Sequence, residues 1–361
     1  GEDRSQQDLY LLHFLGCTLE DTIRRRWGAV PAEERLQVRQ SLFEYLIKTS
    51  ASLPRWVSVK LCKALVDGGK WSWPLDDPMF LEDIQKLARQ DGTRFLGLTL
   101  LSLVGEEFVR ADVPFPSARK VKLRSYLLAA LPGVLAVLTE SISSSISFIG
   151  SATGKLGDGQ TPHAMHITHA SEVIQGSTRC LLVFLSWAPL GDHLTVDLFH
   201  SLFTVIEAAA QDAQQATSSA AGQGTAALQI CGADSVACLT EVLSKRLLPP
   251  GQENLVMGMA DHMLHLLHIV TQEGVMAACE EHFLLQLAEF LEVFMNLHIG
   301  RVLRTGGDGV TNRPRFPVGQ LLTLLATFTF GQATTKGLHR CVLAWSAFAQ
   351  QATIGEGEGS P

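Results

Sequence analysis

Leu255-Val256-Met257-Gly258-Met259-Ala260-Asp261-His262-Met263-Leu264-His265-Leu266-Leu267-His268-Ile269-Val270 is the stretch on which the reading of the fold turns. Leu255, Met259, Met263, Leu266, Leu267 and Val270 fall at i, i+4, i+8, i+11, i+12 and i+15, which places them in one stripe along an α-helix. So narrow a stripe is buried only against neighbours. Phe283, Leu287, Phe290, Leu291, Phe294 and Leu297 repeat the pattern on the next segment, and Leu338, Cys341, Val342, Trp345 and Phe348 repeat it near the C-terminus.

Working outward, Pro and Gly divide the chain into about thirteen helical segments: 8–27, 31–52, 54–68, 78–90, 92–110, 117–145, 168–189, 192–211, 225–248, 251–273, 276–304, 317–331 and 334–351. Pro31, Pro54, Pro78 and Pro317 stand where helices should begin, since an N-terminal position needs no amide donor. Read as pairs, the segments start near 31, 78, 117, 191, 250 and 316, and the shorter intervals match the roughly 40–47-residue period of HEAT repeats. The expected fold is all-α, a right-handed α-solenoid of HEAT-like antiparallel helix pairs, running as one array over 1–352. Residues 146–167 and 212–224, rich in small polar residues, are expected to be mobile loops, and 353–361 a disordered tail. The alternation Ala326-Thr327-Phe328-Thr329-Phe330 suits a strand, but its helical neighbours argue against one.

Composition narrows the function. The 361 residues carry a net charge of −7 and no basic stripe, which argues against duplex binding. The one dense basic run, Arg24-Arg25-Arg26, sits at a helix end, where cations complement the dipole. Seven cysteines (17, 62, 180, 231, 238, 279 and 341) lie mostly inside apolar patterns, with no CxxC, and read as free thiols in a reducing compartment. No run of eighteen apolar residues is evident, Ser125–Leu138 being short and interrupted by Pro132, so no membrane insertion is expected. The chain has no initiator Met and opens within a helical pattern, which suggests a piece of something longer.

No reactive constellation emerges. Gly150-Ser-Ala-Thr-Gly154-Lys155 has three residues between its glycines where a phosphate loop needs four, and Leu156 replaces the hydroxyl. His163, His166 and His169, and again His262, His265 and His268, share a helix face, but zinc requires three or four converging ligands. Glu106-Glu107 and Glu280-Glu281 are adjacent and point to different sides of a helix. No catalytic residue, metal or cofactor is expected. Trp27, Trp71, Trp73, Trp187 and Trp345 stand at or near segment ends, where inter-repeat packing is the default and a partner anchor the alternative.

Arg26-Trp27-Gly-Ala-Val-Pro31-Ala-Glu-Glu-Arg35-Leu-Gln-Val-Arg-Gln-Ser-Leu42, followed by Lys60-Leu-Cys-Lys63-Ala-Leu-Val-Asp67 and Trp73-Pro74, resembles the opening repeats of the importin-β/exportin (karyopherin) family of nuclear transport receptors. The order and spacing cover about the first 110 residues. Collinear pieces further on, Leu185-Ser-Trp187-Ala-Pro189-Leu190, Glu241-Val-Leu-Ser244-Lys245 and Phe316-Pro317-Val318 with Leu321-Leu-Thr-Leu-Leu325, are similar to the exportin branch that carries actin with profilin. The family's N-terminal region would then span roughly 8–145, with further repeats over 168–351. Two departures stand out: the first helix of the first repeat is missing, and Gly68-Gly69 interrupt a segment the family keeps helical.

The resemblance implies a non-enzymatic receptor that shuttles between nucleus and cytoplasm. It would bind Ran-GTP, nuclear pore proteins and a protein cargo, actin–profilin. By position, the inner helices 8–27, 54–68 and 92–110 would receive Ran-GTP through Arg24, Lys60, Lys63, Asp67, Arg94, Glu106 and Glu107. A HEAT-repeat scaffold without Ran dependence, and a helical enzyme using a His cluster, are the rival readings.

Overall fold

The computed structural model describes residues 6–49, 51–110, 117–153, 162–189, 193–218, 226–245, 253–305 and 316–357, and among these every regular element is helical. They group into two compact units, the first formed by 1–141 with 179–188 and the second by 142–178 with 189–361.

In the first unit, α1 (Gln6–Arg26), α3 (Arg55–Ser72) and α5 (Arg94–Glu107) form one row, each packed on the next. Helix α2 (Ala32–Thr49) backs α3, and α4 (Phe80–Arg89) backs α5. A single 3-10 turn, Trp27–Ala29, joins α1 to α2. This is the arrangement of stacked HEAT-like pairs, α2 with α3 and α4 with α5, preceded by α1. Arg39 of α2 forms an ion pair of 2.9 Å with Asp77, both nearly buried, and lies over the Phe80 ring, so α2 is tied to the start of α4. Burial pushes the Asp77 carboxyl up from its ordinary value, and the Arg39 charge opposes that shift.

The two glycines expected to interrupt helix 54–68 do not. α3 runs unbroken to Ser72 with both buried. Their role is close approach: a Cβ on Gly69 would lie 2.5 Å from Phe80 Cζ, and one on Gly68 would lie 3.7 Å from the Trp27 ring. Two bulky rings seat directly on the α3 backbone, and that packing outweighs the helix propensity lost at glycine, about 1 kcal/mol each.

In the second unit the pattern continues with α8 (Val196–Ser218) against α9 (Ala226–Ser244), α10 (Glu253–Val270) against α8, α12 (Glu281–Leu297) against α9, and α15 (Thr335–Gly357) against α12. Helix α14 (Val318–Phe330) packs on α10 and α15, so 326–330 is helical. The core is aromatic, with Phe203, Phe283, Phe290, Phe294 and Phe328 fully buried. Polar links recur at similar sequence distances, Arg301 to Glu253 at 3.1 Å and Arg340 to Glu292 at 2.7 Å.

Segment 276–304 is not one helix. It forms α11 (Val275–Ala278), α12 and α13 (Ile299–Thr305). The first break is held by buried Gln229 of α9, whose amide donates to the Ala278 carbonyl at 3.2 Å and whose carbonyl accepts from the Glu280 N–H. Gly274 enters α11 with φ of 81°, where a side chain would be strained.

Helices extend into the expected loops and tail. α6 (Ser117–Thr153) continues past 146, α7 (Pro162–Trp187) begins at Pro162, α8 continues to Ser218, and α15 continues to Gly357. Positions 154–161, 219–224 and 358–361 of those segments lie outside the described residues. Small polar residues do not stop a helix that is already propagating. Because α6 also continues through Pro132, Ser117–Ser151, like Ala226–Ser244, is long and apolar enough by length and composition to cross a membrane. This corrects the expectation that no such stretch exists. In α9, 67% of that apolar window is buried among neighbouring helices, as befits a core helix.

Candidate partner-binding site

Gly16 sets the distance between α1 and α3, since a Cβ there would stand 3.1 Å from Lys60 Cγ. That approach lays the Lys60 stem along α1 and brings its ammonium onto the carboxylate of Glu20, which is also 3.1 Å from Lys63 Nζ. Lys63 reaches on to Asp67 at 3.0 Å and to Glu107 of α5 at 3.2 Å. Buried Lys70 pairs with Asp67 and, at 2.7 Å, with Glu107. Arg24 meets Glu20 at 3.3 Å and Arg110 meets Glu107 at 2.8 Å, closing the network at its exposed edges. Three successive helices are therefore joined through one continuous set of ion pairs.

The exit of α3 is pinned separately. Arg119 of α6 donates to the carbonyls of Lys70, Trp71 and Trp73 at 3.0, 3.1 and 2.6 Å. A guanidinium at a helix C-terminus satisfies carbonyls that have no intrahelical partner. Burial lowers the Arg119 pKa without threatening its charge.

Electrostatics follow the geometry. Burial works to raise the pKa of Glu107, but hydrogen bonds from Lys70 and Arg110, and the charges of Lys70 and Lys63, outweigh it and hold the carboxyl at about 2. Burial likewise opposes the shift of Glu20, which the Lys60 and Lys63 ammonium groups pull below its ordinary value. Against their own desolvation, Lys60 is raised by Glu20, and Lys63 by Asp67 first, then Glu20 and Glu107. A carboxyl depressed on folding stabilises above its unfolded pKa and ceases to do so as pH falls through the folded one. Glu107 should therefore contribute on the order of 3 kcal/mol at neutral pH, lost between its ordinary value of 4.5 and about 2. Urea titrations followed by tryptophan fluorescence over that window check this, with Glu107→Gln expected to flatten the pH dependence. An unchanged slope in that variant would refute it.

Of the residues picked out from the sequence, Arg24, Lys60, Lys63, Asp67 and Glu107 meet in this network. Arg94 does not join them. It pairs with Asp91 at 2.6 Å and donates to the Arg89 carbonyl at the start of α5. Glu106 is exposed on α5, turned away from its buried neighbour Glu107. Glu20, Lys70 and Arg110 were missed, although Glu20 stands four residues before Arg24, and Lys60, Lys63, Asp67 and Lys70 recur at helical spacing.

A family model described as "Exportin 1-like protein" matches residues 54–221. Exportin-6-A of Xenopus laevis is 26% identical over 396 residues, covering 97% of this chain and 34% of that protein. Exportin-6 of Mus musculus and of Homo sapiens are each 25% identical over 388 residues, covering 97% of this chain and 33% of theirs. The chain is similar to exportins along nearly its whole length. It spans about a third of the length of the curated relatives it matches. Each of these relatives is named an exportin.

Most of the tryptophans turn out to be packed against neighbouring side chains. Trp27 is buried with Ile23 and Ala64, and Trp73 packs on Phe108 and Tyr126. Trp187 lies under the Arg124 guanidinium, and Trp345 donates to Thr329 Oγ1 at 3.1 Å. Trp56 is the exception at 44% exposed, and the sequence reading passed over it. His262 lies 2.8 Å from Glu207 and stacks on Phe203, a tie between α10 and α8. Among the described cysteines, Cys62, Cys180, Cys231, Cys238 and Cys341 are buried, and burial pushes the Cys62 thiol up to about 12.

Proposed function

We propose that this chain is part of a nuclear export receptor that shuttles between nucleus and cytoplasm and binds Ran-GTP together with a protein cargo, actin–profilin. The observation that carries the reading is the ion network joining α1, α3 and α5, which unites five of the seven residues expected at a Ran face. Two ligands that favour the same arrangement of such a row of helices strengthen each other's binding, typically by 1–3 kcal/mol. In this reading Ran-GTP contacts the exposed edge of the network at Arg24, and the buried Glu20 carboxylate holds that cation in register. Nuclear pore proteins belong to the same proposal, as partners met during passage.

Pull-down of the chain with Ran loaded with GTP or GDP tests this. Capture should favour the GTP form, and Arg24→Glu, at an exposed position, should weaken it about tenfold while leaving the thermal midpoint within a few degrees. Equal capture of the two nucleotide forms would support the alternative, a helical-repeat scaffold without Ran dependence.

A further inference from the structure

The sequence reading took Arg24-Arg25-Arg26 as the one dense basic run, but the first two turns of α6 hold a second. Arg119, Lys120, Lys122 and Arg124 follow one another closely, and no acidic residue stands between Asp112 and Glu140. Helical neighbours lie three or four positions apart, so no carboxylate of α6 itself reaches these cations. Among the described residues, no ion pair joins Arg119, Lys122 or Arg124 to a carboxylate of another element, although Asp76 is near enough to act on Arg119. Arg119 is committed to the carbonyls at the α3 exit, whereas Lys122 and Arg124 are exposed. Cations at the start of a helix oppose its dipole, so this cluster does not serve the stability of α6.

A second observation comes from Trp187, the last residue of α7. Arg124 donates to its carbonyl at 3.3 Å, and the guanidinium lies 5.7 Å from the centroid of its ring. Phe184, one turn earlier, stands 6.1 Å from the same ring on its other neighbour in α7. The indole nitrogen is buried, yet its N–H has no acceptor. Buried donors nearly always find one, because leaving a donor unpaired is costly. An acceptor reaching this N–H would also lie beside a guanidinium, where a carboxylate is favoured over a neutral group. Val121, between the two lysines and 70% exposed, gives the cluster an apolar centre.

We propose that this corner of the first unit, the start of α6 with the end of α7, docks an acidic segment of a protein partner. One carboxylate of the segment pairs with Lys122. A second draws the exposed Arg124 side chain off the ring and accepts the indole N–H of Trp187, while an apolar side chain between them rests on Val121. Charge complementarity selects the acidic segment, and the apolar centre favours a peptide over a phosphate, which would have nothing to place there. No nucleotide-dependent partner is required, and none of these residues belongs to the network around Lys63. The docking therefore stands or falls separately from the Ran reading.

The test uses the whole chain and fluorescence anisotropy of a labelled peptide with one leucine set in a run of glutamates. The probe should bind, and raising the salt concentration should weaken binding several-fold. Lys122→Glu, at an exposed position without an ion pair, should weaken it about tenfold at an unchanged thermal midpoint. Lys336→Glu, the same change of charge at an exposed position in the other unit, should leave it unchanged. In the NMR spectrum, the indole N–H resonance that Trp187→Phe removes should move downfield as the peptide saturates the protein, while that of Trp345 stays in place. The proposal is overturned if the peptide does not bind, if Lys122→Glu leaves the affinity intact, or if the Trp187 resonance does not move. It is equally overturned if a peptide with lysines in place of the glutamates, or a thymidine oligonucleotide, binds as tightly.

Discussion

Lys70→Met should lower the stability of the first unit by about 3 kcal/mol, within the range of about 3–5 kcal/mol seen when one partner of a buried ion pair is removed. Lys70 has 3% of its side chain exposed and neutralises Asp67 and Glu107, which are 11% and 5% exposed. Without it, two nearly buried carboxylates share the remaining cations: Lys63 serves both, and Arg110 serves Glu107 alone. That residual pairing places the expected loss at the low end. Adding Glu107→Gln should recover part of it, because the stranded charge is gone, so the double variant should be more stable than the sum of the two singles by about 1–2 kcal/mol. Five of the six tryptophans, Trp27, Trp56, Trp71, Trp73 and Trp187, belong to this unit, so fluorescence-monitored urea unfolding reads the effect directly. Strict additivity of the two substitutions would show that the ion pair makes no net contribution.

Much of the fold is legible in the sequence because a helical repeat is a local object. The stripes through Leu255–Val270 and Phe283–Leu297 emerge as the buried faces of α10 and α12, with Met259, Met263, Leu266, Phe283, Leu287 and Phe290 in the core. The pair starts expected near 31, 78, 250 and 316 fall at Ala32, Phe80, Glu253 and Val318. Helix signals act within four residues, and the pattern displays them. Misreadings arise where a distant residue overrides the local signal. Gly68 and Gly69 read as an interruption because Phe80 and Trp27, which require their bare backbones, come from other elements. Gln229 holds the break at Ala278–Glu280 from about fifty residues away, and nothing near that break in sequence announces it.

The candidate site shows the same division. Arg24, Lys60, Lys63, Asp67 and Glu107 were found because the resemblance singled out, by position, the three helices that carry them. Glu20 and Lys70 escaped, since a single acidic or basic residue inside an apolar pattern looks like any solvated position until burial is known. Lys70 lies between Gly69 and Trp71, a setting that gives no hint that its ammonium is enclosed. Trp56 was passed over for the opposite reason: it follows Pro54-Arg55 at a helix start and looks like the other end-of-helix tryptophans, yet it is the one left open beside Tyr10.

Gly97→Ala should be the more informative substitution, because two effects of opposite sign compete at one site. Helix propensity favours alanine by about 1 kcal/mol inside α5. Against this, a Cβ on Gly97 would lie 2.2 Å from the Ala88 backbone nitrogen and 2.5 Å from its Cα, contacts no side-chain adjustment relieves. The turn between α4 and α5 leaves little room to separate them. Thr93 Oγ1 donates to the Leu87 carbonyl at 3.0 Å, and the Gly97 N–H donates to the Thr93 carbonyl at 2.9 Å. Inserting a methyl group into packing this tight costs about 1–3 kcal/mol and more where backbone must move, so the net loss should be about 2 kcal/mol or greater. At about 2–4 °C per kcal/mol the thermal midpoint should fall by at least about 4 °C. Gly258, a glycine of α10 with open space around its would-be Cβ, supplies the control: Gly258→Ala should stabilise by about 0.5–1 kcal/mol. Circular dichroism melts of the two variants should therefore move in opposite directions. A Gly97→Ala protein as stable as its parent would mean that α4 and α5 do not approach at Ala88, and the stacking of that pair would have to be redrawn.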